Sequence, residues 1–208
     1  AFGAQKMTRR ISNSVNYKSN TTNGLRVGAA YGAGEVSTGP SQNLVGISAD
    51  FTAKAFYVGA AYQTFERTTR SDDKELIVGA GVKFGDFEVK ANYMRANVSE
   101  TAIVSATNPA VYDFEQANIG ASFTAGANKF FANLQRNELD NGAKGNGWSL
   151  GYTYTLSKRT NLYAAYATMR NNNRANFGVF SGATNVTPAA TFAGADPKAL
   201  SLGVRHYF

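Results

Sequence analysis

The side chains that could do chemistry in this chain are few, and their types limit the possible reactions. The 208 residues contain no cysteine and a single histidine, His206. Disulfide and thiolate chemistry are therefore excluded, and no histidine-based metal cluster can form. The acids Asp72, Asp73, Asp113 and Glu115 stand in polar stretches that are typical of solvated loops. We predict no catalytic residue, no cofactor site and no metal site.

The basic residues form the more informative set. Twenty-one Lys and Arg against 14 Asp and Glu give a net charge of +7. Such a balance is compatible with nucleic-acid binding, but the bases are spread along the chain and no Lys/Arg-rich block occurs. The segment 32–34, Gly-Ala-Gly, is not followed by a helical pattern, so it is no phosphate-binding loop. We predict no nucleic-acid partner.

Apolar and polar residues alternate with a period of two, which predicts the elements that carry these bases. In the closing stretch, 200–208, Leu200, Leu202 and Val204 share one face, while Ser201 and Arg205 lie on the other. This alternation is typical of a strand with one apolar and one polar face. Eleven stretches follow the rule: 8–18, 25–32, 43–51, 56–62, 76–84, 87–93, 117–123, 130–134, 148–156, 162–166 and 200–208.

The connections between these strands are predicted to alternate in length. Short turns follow the odd-numbered strands, for example at residues 85–86, and longer loops follow the even-numbered ones, at 33–42, 66–74, 97–112, 137–146 and 171–197. A soluble sandwich has no reason to sort its loops in this way. A transmembrane β-barrel does, because its short turns and long loops face opposite sides of the membrane. The pattern predicts an all-β, antiparallel transmembrane β-barrel.

The residues on the polar side of these strands would then surround water. They are small and polar, interrupted by charge, whereas Arg95, Arg136 and Arg170 fall on the apolar parity only at strand ends. A positive water-filled passage lowers the cost of moving an anion through it. If instead each base pairs with an acid, the passage is nearly neutral. The residues predicted to line it are Arg10, Arg26, Lys83, Lys90, Lys129, Arg205, Asp50 and Glu88.

Several stretches resemble a known family. They are 13–17 (Asn-Ser-Val-Asn-Tyr), 28–32 (Gly-Ala-Ala-Tyr-Gly), 156–163 and 203–208 (Gly-Val-Arg-His-Tyr-Phe). In these stretches the chain is similar to the C-terminal part of Gram-negative general diffusion porins of the neisserial and Burkholderia type. The likeness covers nearly all 208 residues and is greatest in the last third.

The resemblance implies a fold and a function. Members of this family form sixteen-stranded homotrimeric barrels in outer-membrane lipid. They pass small hydrophilic solutes by passive diffusion, and many prefer anions. A loop folded inward after the fifth strand narrows their pore, and the following strand carries arginines that face the pore. Arg10 matches such a position and Arg9 has the opposite parity, so Arg10 is expected nearest to the constriction.

The chain also departs from the family. Single-chain bacterial barrels have an even number of strands, whereas eleven are visible here. Counted back from the end, these are strands six to sixteen, so residues 1–208 are expected to be one porin domain that lacks its N-terminal part. Residues 1–6 would be the tail of the inward loop.

Two other classes stay open as alternatives. An outer-membrane barrel hydrolase would need a nucleophile or carboxylate beside a histidine base, and His206 lies close to the chain end on the apolar parity. A soluble carbohydrate-binding β-sandwich would need the face that carries Trp148, Leu150, Tyr152 and Tyr154 to be buried.

Overall fold

The fold is built from strands throughout the part of the chain that the structure describes. This computed structural model describes residues 2–3, 12–35, 42–66, 72–98, 112–179 and 192–208. The strands are β1 (Phe2–Gly3), β2 (Ser14–Lys18), β3 (Leu25–Gly32), β4 (Leu44–Thr52), β5 (Phe56–Glu66), β6 (Asp72–Phe84), β7 (Phe87–Asn97), β8 (Phe114–Ala125), β9 (Asn128–Leu139), β10 (Lys144–Ser157), β11 (Thr160–Asn171), β12 (Gly178–Val179) and β13 (Lys198–His206). No helix occurs in these ranges.

Each long strand pairs with the next one along the chain. The eleven-stranded antiparallel sheet has the order β2, β3, β4, β5, β6, β7, β8, β9, β10, β11 and β13, and β1 pairs separately with β12. This simple up-and-down order is typical of strands joined by hairpins. The predicted all-β class and the eleven antiparallel strands are confirmed.

Solvent exposure alternates along the strands, but here the large hydrophobic side chains are the exposed ones, which is the reverse of a soluble protein. On β3, Leu25, Val27 and Tyr31 are exposed, while the intervening Arg26 and Gly28 are partly covered. The same holds on other strands, where Ile47 and Leu134 are each 62% exposed. We call the side that carries the large exposed hydrophobic residues the apolar face and the opposite side the polar face.

Several predicted loop boundaries are wrong. The loop predicted at 137–146 is a tight hairpin of residues 140–143, because β9 continues to Leu139 and β10 begins at Lys144. Leu139 N donates to Ala143 O at 2.9 Å, and Gly142 adopts a φ of 84° that favours glycine. The loop predicted at 66–74 shrinks likewise, since β5 ends at Glu66 and β6 begins at Asp72. The strands extend through polar residues that a hydrophobic pattern does not mark as strand.

Two further boundaries shift at the ends of the sheet. Of the first predicted strand, 8–18, the described part forms β2 at Ser14–Lys18, and residues 8–11 lie outside the described residues. Arg9 and Arg10 lie outside them as well. The closing strand runs over Lys198–His206 rather than to residue 208, and Tyr207 N donates to Arg159 O at 2.9 Å.

The strands and their connections group into two compact units. Unit 2 comprises residues 5–80 and 92–115, and Phe114, at 1% exposure, is the most buried hydrophobic residue among those of the unit that the structure describes. Unit 1 comprises residues 1–4, 81–91 and 116–208. Its buried hydrophobic residues gather where β10 and β11 meet the long connection that follows β11, and they include Met169, Phe177 and Val179.

Asn171 fixes both arms of that connection. Its Nδ2 donates to Phe177 O at 2.9 Å and to Ala195 O at 2.7 Å, while Phe177 N donates to its Oδ1 at 3.2 Å. The ring of Phe177 lies over Gly145, where a Cβ atom would come within 2.5 Å of it. The described arms of the connection, residues 172–179 and 192–197, are therefore held at the polar face of β10 and β11.

Two glycines of unit 1 make room for rings on the polar face. A Cβ at Gly151 would lie 1.9 Å from Cε2 of Phe131, and one at Gly203 would lie 2.5 Å from Oη of Tyr163. Each ring therefore lies flat across the neighbouring strand. Such glycine and aromatic pairs fix the register of adjacent strands.

Replacing Gly151 with alanine should destabilise the fold, because the new methyl group must displace the Phe131 ring. Overpacking of this kind typically costs about 1–3 kcal/mol. Urea unfolding, followed by the mobility shift of the folded protein on gels, should show a lower midpoint. Gly46→Ala is the matched control, since its Cβ would meet its nearest neighbour at 3.4 Å. Equal midpoints for the two variants would contradict this packing.

Candidate channel wall

The polar face carries all but one of the residues predicted to line a passage. Arg26, Asp50, Lys83, Glu88, Lys90, Lys129 and Arg205 lie within β3, β4, β6, β7, β9 and β13, each on the parity opposite to the exposed hydrophobic residues. Arg10 lies outside the described residues. Beside these charges stand glycine, alanine, serine, threonine and asparagine, which leave space for water.

Arg26 and Asp50 form an ion pair in unit 2. They occupy opposite positions on β3 and β4, and the Arg26 guanidinium contacts Asp50 Oδ1 through Nη2 at 2.8 Å and Nε at 2.9 Å. Both side chains remain about one-third exposed, at 36% and 35%. The pair neutralises two of the predicted lining charges while leaving the guanidinium open to solvent.

A second group of charges lies in unit 1, beside the short turn between β6 and β7. Lys90 Nζ contacts Glu88 Oε1 at 2.8 Å. Lys129 and Lys83 also interact electrostatically with Glu88. We call Lys83, Lys90, Lys129 and Glu88 the lysine cluster; it contains three bases and one acid, so its net charge is +2.

Arg205 belongs to neither of these two groups of charges. It stands on β13 opposite Asn161 of β11, next to Gly203 and its overlying Tyr163 ring. No acidic partner contacts it within the described part of the chain. Arg205 therefore adds an uncompensated positive charge to the polar face of unit 1.

A ladder of carboxamides on β8 and β9 was not predicted from the sequence. Asn133 Nδ2 donates to Asn118 Oδ1 at 2.7 Å, Asn118 Nδ2 donates to Gln135 Oε1 at 3.2 Å, and Gln135 Nε2 donates to Asn137 Oδ1 at 2.8 Å. The sequence did contain a signal for this ladder, because residues 133, 135 and 137 are two apart and therefore share one face of β9. This ladder gives the wall an uncharged, hydrogen-bonding stretch.

Two buried acids lie on the polar face of β6. Asp73 and Glu75 are 4% and 5% exposed, and Gln63 Nε2 donates to Glu75 Oε2. The interpretation of Asp73 as a solvated loop charge is therefore wrong. Asp73 and Glu75 alternate with residues of the apolar face. This alternation indicated that the strand begins earlier than predicted, but the loop prediction at 66–74 ignored it.

Within the described ranges, the candidate catalytic residues His206 and Asp113 of the alternative hydrolase have other partners. His206 is exposed on β13, and its Nδ1 shares a 2.8 Å hydrogen bond with Thr160 Oγ1. Asp113 accepts hydrogen bonds from Asn97 Nδ2 and Val98 N, so it fixes a strand end. Among the described residues, no group of three or more His, Asp or Glu could hold a metal ion.

The wall thus has a solvent-exposed apolar face and a small, charged, hydrogen-bonded polar face. Monomeric soluble proteins rarely expose apolar surface that is continuous over several strands. No helix in the described ranges is both long and apolar enough to cross a membrane. The strands themselves have the two faces that define a protein of the transmembrane β class.

Comparison with known sequences identifies the family. A family model described as Gram-negative porin matches residues 1–174. The chain therefore belongs to the Gram-negative porins, whose location is the bacterial outer membrane. None of the curated proteins matches the chain.

Solved structures show the same fold. The anion-selective porin from Comamonas acidovorans superposes with a TM-score of 0.77 at 18% identity, covering 95% of this chain and 60% of the porin. The trimer form of OmpT from Vibrio cholerae gives 0.68 at 18% identity, covering 94% and 64%. A mutant of the Rh. blastica porin gives 0.60 at 18% identity, covering 95% and 56%. The chain thus spans less than two thirds of each of these proteins.

Proposed function

We propose that the polar face lines a water-filled channel through which small hydrophilic solutes cross the outer membrane by passive diffusion. The observation that supports this most directly is the contrast between the two faces of the sheet. Ile47 and Leu134 are exposed on the apolar face, whereas Arg26, Lys90 and Arg205 lie on the polar face. Small side chains between these charges leave room for hydrated ions. The apolar face would contact outer-membrane lipid.

We propose that the channel prefers anions. Of the bases on the polar face, Arg26 and Lys90 have acidic partners at 2.8 Å, but the lysine cluster retains a net charge of +2 and Arg205 adds another positive charge. The Comamonas porin is named as anion-selective, which supports the same preference here. Arg10 is proposed to lie nearest to the constriction, as the family resemblance implies.

The proposed assembly is a homotrimer, and the proposed chain is longer than these 208 residues. A trimer form is recorded for the Vibrio cholerae protein, and the sheet has an odd number of strands within the described residues, whereas bacterial barrels close with even numbers. We propose that the strands seen here are six to sixteen of a sixteen-stranded barrel. The mature protein in cells should then exceed 22.2 kDa by intact-mass analysis.

The proposed activity is transport and not catalysis. In the part of the chain that the structure describes, His206 pairs with Thr160 and Asp113 accepts a hydrogen bond from Asn97 at a strand end, so neither supports the hydrolase alternative. The carbohydrate-binding sandwich alternative needs Trp148 and Leu150 to be buried, and they are 39% and 54% exposed.

The full-length protein, extracted in detergent and added to a planar bilayer, should produce stepwise increases in conductance. The current through each open channel should be proportional to the applied voltage and should need no chemical energy source. This behaviour follows from a permanently open aqueous path. Heat-denatured protein at the same concentration is the control. A native preparation that inserts into the bilayer without conducting would contradict the proposed function.

A further inference from the structure

An aromatic ring and an exposed base lie side by side on the polar face of unit 1. Tyr163 of β11 stands opposite Gly203 of β13, and its phenol ring lies across that glycine. Arg205 follows Gly203 by two residues on β13, so it shares the same face at roughly 7 Å along the strand. The Arg205 side chain is exposed. We call Tyr163 and Arg205 the first ring-and-base pair.

The polar groups of the first pair are not used by the fold in the part of the chain that the structure describes. There, Tyr163 Oη has no hydrogen-bond partner and Arg205 contacts no acid. A Cβ atom at Gly203 would lie 2.5 Å from Tyr163 Oη and 2.7 Å from Cζ, so the hydroxyl end of the ring lies over the strand that carries Arg205. A hydroxyl donor beside a guanidinium group suits a carboxylate ligand.

A second ring and base repeat this arrangement on β9. Phe131 lies across Gly151 of β10 and is 37% exposed, and Lys129 precedes it by two residues on the same face. Part of a large apolar ring is therefore open to solvent on a face of small polar residues. Lys129 belongs to the lysine cluster, whose net charge is positive. We call Phe131 and Lys129 the second ring-and-base pair.

The two pairs are close to each other in the sheet. Thr153 of β10 stands opposite Lys129 on one side and opposite Tyr163 on the other. The α-carbons of Lys129 and Tyr163 are thus two strand spacings apart, which is roughly 10 Å. Both rings begin within four residues of a short turn, at 126–127 and at 158–159. A small solute could pass from one pair to the other along the wall at this end of the sheet.

The packing of the rings over glycine explains only part of this arrangement. It fixes the register of the strands, as described above, but it needs neither a base beside each ring nor a phenol hydroxyl without a partner. An aromatic face binds another aromatic ring in offset or edge-to-face geometry, which a saturated ring cannot reproduce. A base beside that face attracts an anionic group. A solute that uses both features is an aromatic anion.

We propose that the two ring-and-base pairs bind small aromatic carboxylates on their way through the channel. The aryl ring of the solute stacks on Tyr163 or Phe131, and its carboxylate pairs with Arg205 and the Tyr163 hydroxyl or with Lys129. A neutral saccharide would gain nothing from the bases, and an inorganic anion would gain nothing from the rings. The proposal rests on the proposed anion-preferring channel and adds a class of solute to it.

The test compares benzoate with cyclohexanecarboxylate, which has the same charge and nearly the same size but no aromatic ring. Each anion is added to the full-length protein in a planar bilayer, and the concentration that halves the chloride current is measured. Benzoate should act at a concentration about three- to tenfold lower, as expected for one aromatic contact. Benzyl alcohol, which has the ring without the charge, should have little effect at equal concentration.

Substitutions separate the contribution of the rings from that of the bases. The double variant Phe131→Leu with Tyr163→Leu keeps apolar bulk over both glycines and should lose the preference for benzoate. Tyr163→Phe should keep that preference but bind both carboxylates more weakly, and Arg205→Gln should weaken both several-fold. The matched controls are Phe130→Leu, which removes the neighbouring ring on the apolar face, and Lys158→Gln, which removes an equal charge from a turn.

A second measurement does not depend on conductance. The ring protons of benzoate should receive saturation from the detergent-solubilised protein in a saturation-transfer NMR experiment, and the double leucine variant should reduce that signal. Equal blocking by benzoate and cyclohexanecarboxylate, equal blocking by benzyl alcohol, or an unchanged preference in the double leucine variant would overturn the aromatic carboxylate site. Saturation transfer without any chloride current would instead contradict the proposed channel and leave the site supported.

Discussion

Replacing both Lys83 and Lys129 with glutamate should convert an anion-preferring channel into a cation-preferring one. The lysine cluster then loses two positive charges and gains two negative ones around Glu88. A charge within about 4 Å of a passing ion changes its energy by roughly 1 kcal/mol even in water and by more in a narrow passage, so the permeability ratio should change several-fold. Reversal potentials under a salt gradient measure this ratio.

The matched control for this selectivity change is Lys54→Glu with Lys158→Glu. Both lysines are exposed residues in the turns that precede β5 and β11, and the change in net charge is the same. If this control shifts the reversal potential as much as the cluster variant, overall charge rather than the wall sets the preference. The shift should shrink at high salt, because mobile ions screen fixed charges.

Ile47→Arg should strongly destabilise the protein in a membrane. Ile47 is in the middle of β4 and 62% exposed on the apolar face. On the lipid side of a barrel, an arginine near the bilayer midplane costs about 2–4 kcal/mol. Urea unfolding of the protein in lipid vesicles should show that loss.

The neighbouring substitution Ser48→Arg provides the control for Ile47→Arg. Ser48 is the next residue on β4 and has the opposite parity, so its arginine would extend into the proposed channel. It should cost much less stability and should reduce the conductance instead. An exposed isoleucine in a water-soluble protein would accept arginine with little change, so a stable Ile47→Arg variant would contradict the membrane-facing assignment.

The period-two pattern predicted much of the fold because each face meets a different environment. Along β3 the hydrophobic residues occur at every second position, and this strand was predicted residue for residue. In β10 the same pattern predicted the hydrophobic part, 148–156, but not the first four residues of the strand. Where strands continue beyond the hydrophobic residues, as in β9 up to Leu139, the polar side chains carry no such signal. The loops predicted at 66–74 and 137–146 were therefore too long.

The composition of the polar face could be predicted, but its pairings could not. The alternating pattern predicted that Arg26 and Asp50 lie on the same face. Their contact, however, depends on the register of β3 against β4, which the pattern does not give. The same dependence on register hid the link between Asn118 and Asn133 across β8 and β9. The fixing of the long connection by Asn171 depends on residues far apart in the chain, which no local pattern reveals.

The most direct test of the two-faced wall uses the absence of cysteine from these 208 residues, because each introduced thiol is then unique within them. Single cysteines at positions 26, 27, 47 and 48 would be placed in the full-length protein in a planar bilayer and treated with a charged, water-soluble thiol reagent. We predict rapid reaction and a stepwise fall in current for Arg26→Cys and Ser48→Cys, and protection for Val27→Cys and Ile47→Cys. Equal reaction at all four positions, or the reverse pattern, would contradict this prediction.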